Sequence, residues 1–170
     1  TFDGELGCGF SARAFEPAER FEARLDRCLG YAARLQNNAP PVEGILPVLF
    51  HPDVVGDYVL PTLLHSLDGG TVSHGEGWFA RSRFGAAEAA LRDDLTLRLD
   101  PLRPLAFGAY RFTSEGVPAA RCDYVRDGRL VTPILDLKYA RRLGLPPTPL
   151  PGGDDALFLE ARRALEDFLA

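Results

Sequence analysis

Four side chains in the first half of the chain are candidate metal ligands: His51, Asp53, Asp57 and His65. A zinc peptidase helix places a His, then a Glu, then a second His one turn on. Both rings then face one ion, and the carboxylate activates its bound water. Here Pro52 takes the Glu position, and Gly56, followed by Asp57, takes that of the second His. The setting of such a helix is present and its water-activating acid is not. Asp53 and Asp57 stand four apart and can share a helix face. With His51 they form a carboxylate/His candidate for a hard or borderline metal. The plainer reading is that His51 closes a strand and that both acids lie on a solvated face.

Other reactive types are more scattered. Glu115 opens Glu115-Gly116-Val117-Pro118, a turn in which a carboxylate can accept backbone N–H groups or contact a ligand. Asp127-Gly128 reads as a hairpin turn. His74 sits among Gly70, Gly75 and Gly77, and Trp78-Phe79 suits either a core or a partner surface. Ser66, Ser73, Ser82 and Ser114 carry no nucleophile motif, and the three histidines make no triad by sequence. Gly4, Gly7 and Gly9 lack the spacing of a phosphate-binding loop.

The bulk numbers bound the options. At 170 residues and 46% apolar, the chain is one ordinary domain, or one with a small appendage. A net charge of −5 argues against nucleic acid and anionic membranes as partners. Cys8, Cys28 and Cys122 are odd in number and widely spaced, which reads as reduced thiols in a cytoplasmic protein. No run reaches the roughly 18 apolar residues that span a bilayer, and no secretory signal segment stands in what is given. The absence of an initiator Met points to a chain cut from something longer, or trimmed.

The elements that must position these groups follow from periodicity. Residues 1–14 read as a glycine-broken strand. Glu16-Pro17 starts a helix through about Gln36, with Phe21, Leu25, Leu29, Ala32 and Leu35 on one face. Leu46–Phe50 reads as a short buried strand. A helix from Pro52 to Leu67 presents Val55, Val59, Leu63 and Leu67, with Pro61 expected to kink or restart it and Asp68-Gly69-Gly70 to stop it. Leu95–Leu99 alternates like a half-buried strand, and Ala106–Phe112 is a second candidate. Strand-like runs 119–125 and 129–135 flank the Asp127-Gly128 turn. Asp136 caps a helix that Gly144 stops. Pro146–Gly153 is a loop, and Asp154-Asp155 caps a last helix with Leu157, Ala161, Leu165 and Phe168 on one face.

Five local patterns, in order over about residues 38–144, together resemble the TldD/PmbA family, long described as modulators of DNA gyrase and viewed as peptidase subunits. They are Ala39-Pro40-Pro41 with Gly44 and Pro47-Val48-Leu49; Leu95-Thr96-Leu97 with Asp100-Pro101; Phe112 with Glu115-Gly116-Val117-Pro118; Tyr124 through Leu130; and Asp136 with Ala140-Arg141-Arg142-Leu143-Gly144. The resemblance implies an α+β fold, a mixed, largely antiparallel sheet with packed helices, forming the C-terminal half of a longer chain. Residues 1–145 would be that domain, and 146–170 a linker and helix.

Within the family, TldD-type subunits carry His-Glu-x-x-x-His and a later Cys, whereas PmbA-type (TldE) subunits lack them and pair with a metal-bearing partner. Only His51 matches here, so this chain resembles the PmbA type. It departs from the family at Thr113 and Ser114, where two Asp are usual, and after Pro146, where the usual C-terminal region is replaced. The resemblance implies a non-catalytic subunit without a cofactor, dimeric with a TldD-like chain or with itself, taking unfolded peptide. The alternatives are an active zinc-dependent peptidase with a rearranged site around His51, Asp53, Asp57 and His65, and a standalone protein-interaction module.

Overall fold

The structure is a computed structural model that describes residues 17–35, 40–46, 48–50, 54–151 and 156–161. The expected N-terminal strand, Cys8, His51 and Asp53 lie outside the described residues. The chain divides into two compact units, 1–49 and 50–170.

In the first unit, α1 (Ala18–Leu35) begins directly after Pro17, with Glu19 in its first turn and Arg34 in its last, both complementing the helix dipole. Its apolar stripe is not buried: Phe21 is 54% exposed and Leu29 59%. Amphipathic spacing is enough to make the helix pattern, but burial needs a covering surface. The expected buried strand at Leu46–Phe50 is corrected in the same way. Leu46, Val48, Leu49 and Phe50 are exposed and lie outside any strand. An apolar run without a sheet neighbour has no ladder to join.

The second unit is built on a four-stranded antiparallel sheet in the order β3-β2-β1-β4. Its strands are β1 (Leu95–Leu99), β2 (Cys122–Arg126), β3 (Arg129–Leu130) and β4 (Leu157–Ala161). β1 lies between β2 and β4, pairing Leu97 with Val125 and with Leu159. Leu97 and Leu99 point into the core with Tyr124, Val125, Leu130 and Leu157. Thr96 and Arg98 alternate onto the other face, as one-sided burial of an antiparallel sheet requires. The β2–β3 hairpin turns on Asp127 (φ 52°) and Gly128 (φ 73°), the two left-handed residues of a type I′ turn. A Cβ at Gly128 would stand 2.5 Å from the Leu91 carbonyl oxygen, so glycine is required there on two counts. Ala106–Phe112 is not a strand but a run of turns, ending in an isolated bridge between Phe112 and Pro118.

The long helix expected from Pro52 changes its winding just before Pro61. Val55–Val59 forms a π-helical turn, and α2 (Leu60–Leu67) restarts with Pro61 in its first turn. Proline has no N–H to donate into the ladder and crowds the carbonyl a turn before it; a wider turn upstream accommodates both effects. The wider turn also shifts the phase. Leu60, Leu63 and Leu67 are buried, while Val59 is exposed. Asp68 ends α2 and begins α3 (Gly69–His74), its carboxylate accepting from Gly70 N and Thr71 N. α4 (Leu137–Leu143) has the expected Asp136 N-cap and left-handed Gly144 C-cap.

The C-terminal helix expected after Asp155 is corrected: Leu157–Ala161 is β4, paired along its whole length with β1. The residues before it bond into this unit. Thr148 Oγ1 accepts from Leu135 N, and Thr148 N donates to Leu135 O. The Tyr124 hydroxyl donates to the Pro149 carbonyl and the Tyr110 hydroxyl to the Leu150 carbonyl. Burial raises the pKa of both phenols, which stay protonated donors. Tyr124→Phe removes a fully buried donor and is expected to lower stability by about 1–3 kcal/mol. The check is a lower urea midpoint at unchanged slope.

Candidate functional site

Among the described residues, no group of three or more His, Cys, Asp or Glu comes together to hold a metal ion. Asp57 sits in the π-helical turn and His65 near the end of α2, both exposed. At about 1.5 Å rise per residue, eight positions put roughly 12 Å of helix between them, and one ion does not bridge that span. Gly56, at the second-imidazole position, offers no ligand atom, and a Cβ there would meet open space. Pro52 offers no carboxylate. The sequence at positions 51–56 thus lacks the Glu and the second His of a His-Glu-x-x-x-His motif.

The structure gives Glu115 a structural contact. Its turn is closed by Thr113, whose hydroxyl accepts from Glu115 N and Val117 N. The Glu115 carboxylate accepts from Leu137 N, the first residue of α4. Glu115 and Asp136 together therefore satisfy donors at the start of this helix, which otherwise have no partner within it. Gly116 takes a φ of 80°, and Pro118 closes the turn through the bridge to Phe112.

His74 is held by its own surroundings. Its Nδ1 lies 2.8 Å from Gly70 O, its ring stands edge-on to Tyr139, and its Nε2 lies 3.3 Å from Arg142. Trp78 and Phe79 divide, Trp78 being 65% exposed and Phe79 buried. Cys122 is half-buried, and burial, with Asp123 adding, pushes its thiol up to about 11, where it is a poor nucleophile. Cys122 is a free thiol.

The sequence reading missed a charged cluster on the open face of the sheet. Arg98 of β1 bonds Asp123 of β2 at 2.6 Å, and Arg126 bonds the second oxygen of the same carboxylate at 2.8 Å. Arg121 bonds Asp100 at 2.6 Å. Burial alone would raise the Asp123 carboxyl; the hydrogen bonds from Arg98 and Arg126 outweigh it and hold the group below the ordinary carboxylate range. The signal was present in the alternation of Leu95–Leu99, which puts Arg98 opposite the leucines.

Residues 43–151 match the PmbA/TldA metallopeptidase C-terminal domain, and the chain belongs to that family. Over 147 residues it is 29% identical to a metalloprotease of Methanothermobacter thermautotrophicus, a similarity covering 85% of this chain and 31% of that protein. The chain thus spans less than a third of that relative's length. The fold is similar to the crystal structure of a Bacteroides thetaiotaomicron protein described as a modulator of DNA gyrase. There the TM-score is 0.52 at 26% identity, over 60% of this chain and 22% of that one. A Thermotoga maritima protein of the same description shares the fold with a TM-score of 0.50 at 22% identity, over 65% of this chain and 26% of that one. No helix among the described residues is long and apolar enough to cross a membrane.

The Asp123 ion pairs have a pH signature. A carboxyl with a lowered folded-state pKa stabilises the protein fully above its unfolded value, near 3.9, and that contribution is lost as pH falls through the folded-state value. Asp123→Asn is expected to cost about 1–3 kcal/mol at pH 7. The gap from the parent chain should narrow in urea titrations taken below pH 4.

Proposed function

We propose that the chain is a non-catalytic, PmbA-type (TldE) member of its family. In this reading it has no cofactor of its own, works in a cytoplasmic dimer with a metal-bearing TldD-like chain or a second copy, and helps process unfolded peptides. The observation that carries it is the pair of substitutions in the zinc helix: Pro52 where the water-activating Glu would stand, and Gly56 where the second His would stand.

Two structural features support a binding role. β4 is the last strand in the sheet order, and among the described residues it pairs only with β1, which leaves its other edge for an added strand. Val42, Ile45, Leu46, Val48 and Leu49 expose a run of apolar side chains, which suits contact with another chain. The same run suits a standalone interaction module, the second reading. An active peptidase with a rearranged site has no comparable support, since the two described members of its ligand set, Asp57 and His65, are far apart on the helix.

The test is cleavage of denatured casein and labelled unfolded peptides, with and without zinc, manganese or cobalt. The chain alone is expected to cleave nothing under any of these conditions, and cleavage should require an added chain that carries His-Glu-x-x-x-His. EDTA-sensitive cleavage by the chain alone would contradict the proposal.

A further inference from the structure

Beside the Arg98–Asp123 pair, on the open face of β1 and β4, lies a groove of about 630 Å³. That is within the range of about 300–1,000 Å³ typical of small-ligand sites. Its position follows from the strand register, which sets Arg98 directly across from Phe158, with Glu160 two residues further along β4. The loop after β1 adds Leu102, Arg103 and Pro104, and Arg121 closes one side.

The charges of this groove are unequally matched. Arg121 is satisfied by Asp100. Asp123 is a single carboxylate shared by Arg98 and Arg126. Arg103 makes no ion pair among the described residues; its guanidinium is stacked 5.1 Å above the Phe158 ring. A planar, pre-oriented guanidinium with its N–H groups uncommitted is a receptor for a carboxylate. Three arginines on the lining are poor neighbours for a bound cation, so the site does not suit a metal.

The remaining lining narrows the anion. Glu160 faces the same groove and repels a dianion such as phosphate, but its carboxylate can accept an N–H. Phe158, Leu102 and Pro104 supply an apolar wall. The ligand that meets all three demands carries one carboxylate, a nearby amide N–H and an apolar side chain. The last residue of a peptide has this composition, and the groove adjoins the edge strand along which an extended peptide would lie.

We infer that this groove is a recognition site for the C-terminal carboxylate of an extended peptide ending in an apolar residue, with Arg103 as its anion receptor. The inference deepens the peptide-binding reading above and rests on it. The test uses an N-terminally fluorescein-labelled heptapeptide ending in Leu, as the free acid and as the C-terminal amide, titrated by fluorescence anisotropy. The acid is expected to bind at least tenfold tighter than the amide. Arg103→Gln, a change at an exposed side chain, is expected to erase that difference while leaving the melting temperature unchanged. Equal binding of acid and amide, or a difference that survives in Arg103→Gln, would overturn the carboxylate site and leave peptide binding standing. Binding of neither form would overturn both.

Discussion

The second unit depends on the two-faced character of β1. With β2 on one side and β4 on the other, it must satisfy backbone ladders in both directions, and its pleat sends Leu97 and Leu99 into the core. The same pleat sends Arg98 outward, where Asp123 on the adjacent strand fixes its guanidinium. A one-residue slip in register would exchange these faces, burying a guanidinium and exposing leucine. Core formation and the charged surface are thus both set by the pairing of β1, whose register against β2 shifts between Leu97 and Arg98. β2 pairs with β1 on one side and β4 on the other, and Gly128 N of the hairpin turn donates to Leu95 O.

The candidate zinc helix shows how backbone constraints reach a site. Pro61 imposes a π-helical turn on the residues just before it, so the side chains of Val55–Val59 do not follow the spacing of an ideal α-helix. The expected face through Val55 and Val59 gives way to Leu60, Leu63 and Leu67. This segment serves packing through α2, while its upstream turn exposes Asp57 and Tyr58. Positions 52 and 56 hold Pro and Gly, whose side chains carry no metal-ligating atom.

What the sequence revealed were features with local causes. α4 was legible because Asp136 and Gly144 carry their own capping chemistry. The hairpin was legible because few residue pairs tolerate two successive left-handed conformations. β4 was misread because Leu157 and Ala161, four apart, fit both a helical and a strand period. Pairing with β1, a long-range contact, decides between them. The apolar faces of α1 and of residues 46–50 were legible as patterns, but their exposure depends on what covers them, which no local rule supplies. The groove around Arg103 depends on strands about 60 residues apart in sequence and left no compact motif. Membership of the PmbA/TldA family was legible from short patterns in order, and the match over residues 43–151 bears it out.

The central claim is that this polypeptide cannot hold a catalytic ion on its own, because a proline and a glycine stand at two of the positions a peptidase helix needs. Elemental analysis by plasma mass spectrometry, on protein equilibrated with zinc and then freed of excess metal, addresses that claim directly. The account predicts zinc far below one equivalent per chain, and the same trace amount in His51→Ala. One equivalent in the parent protein, lost in His51→Ala, would contradict it.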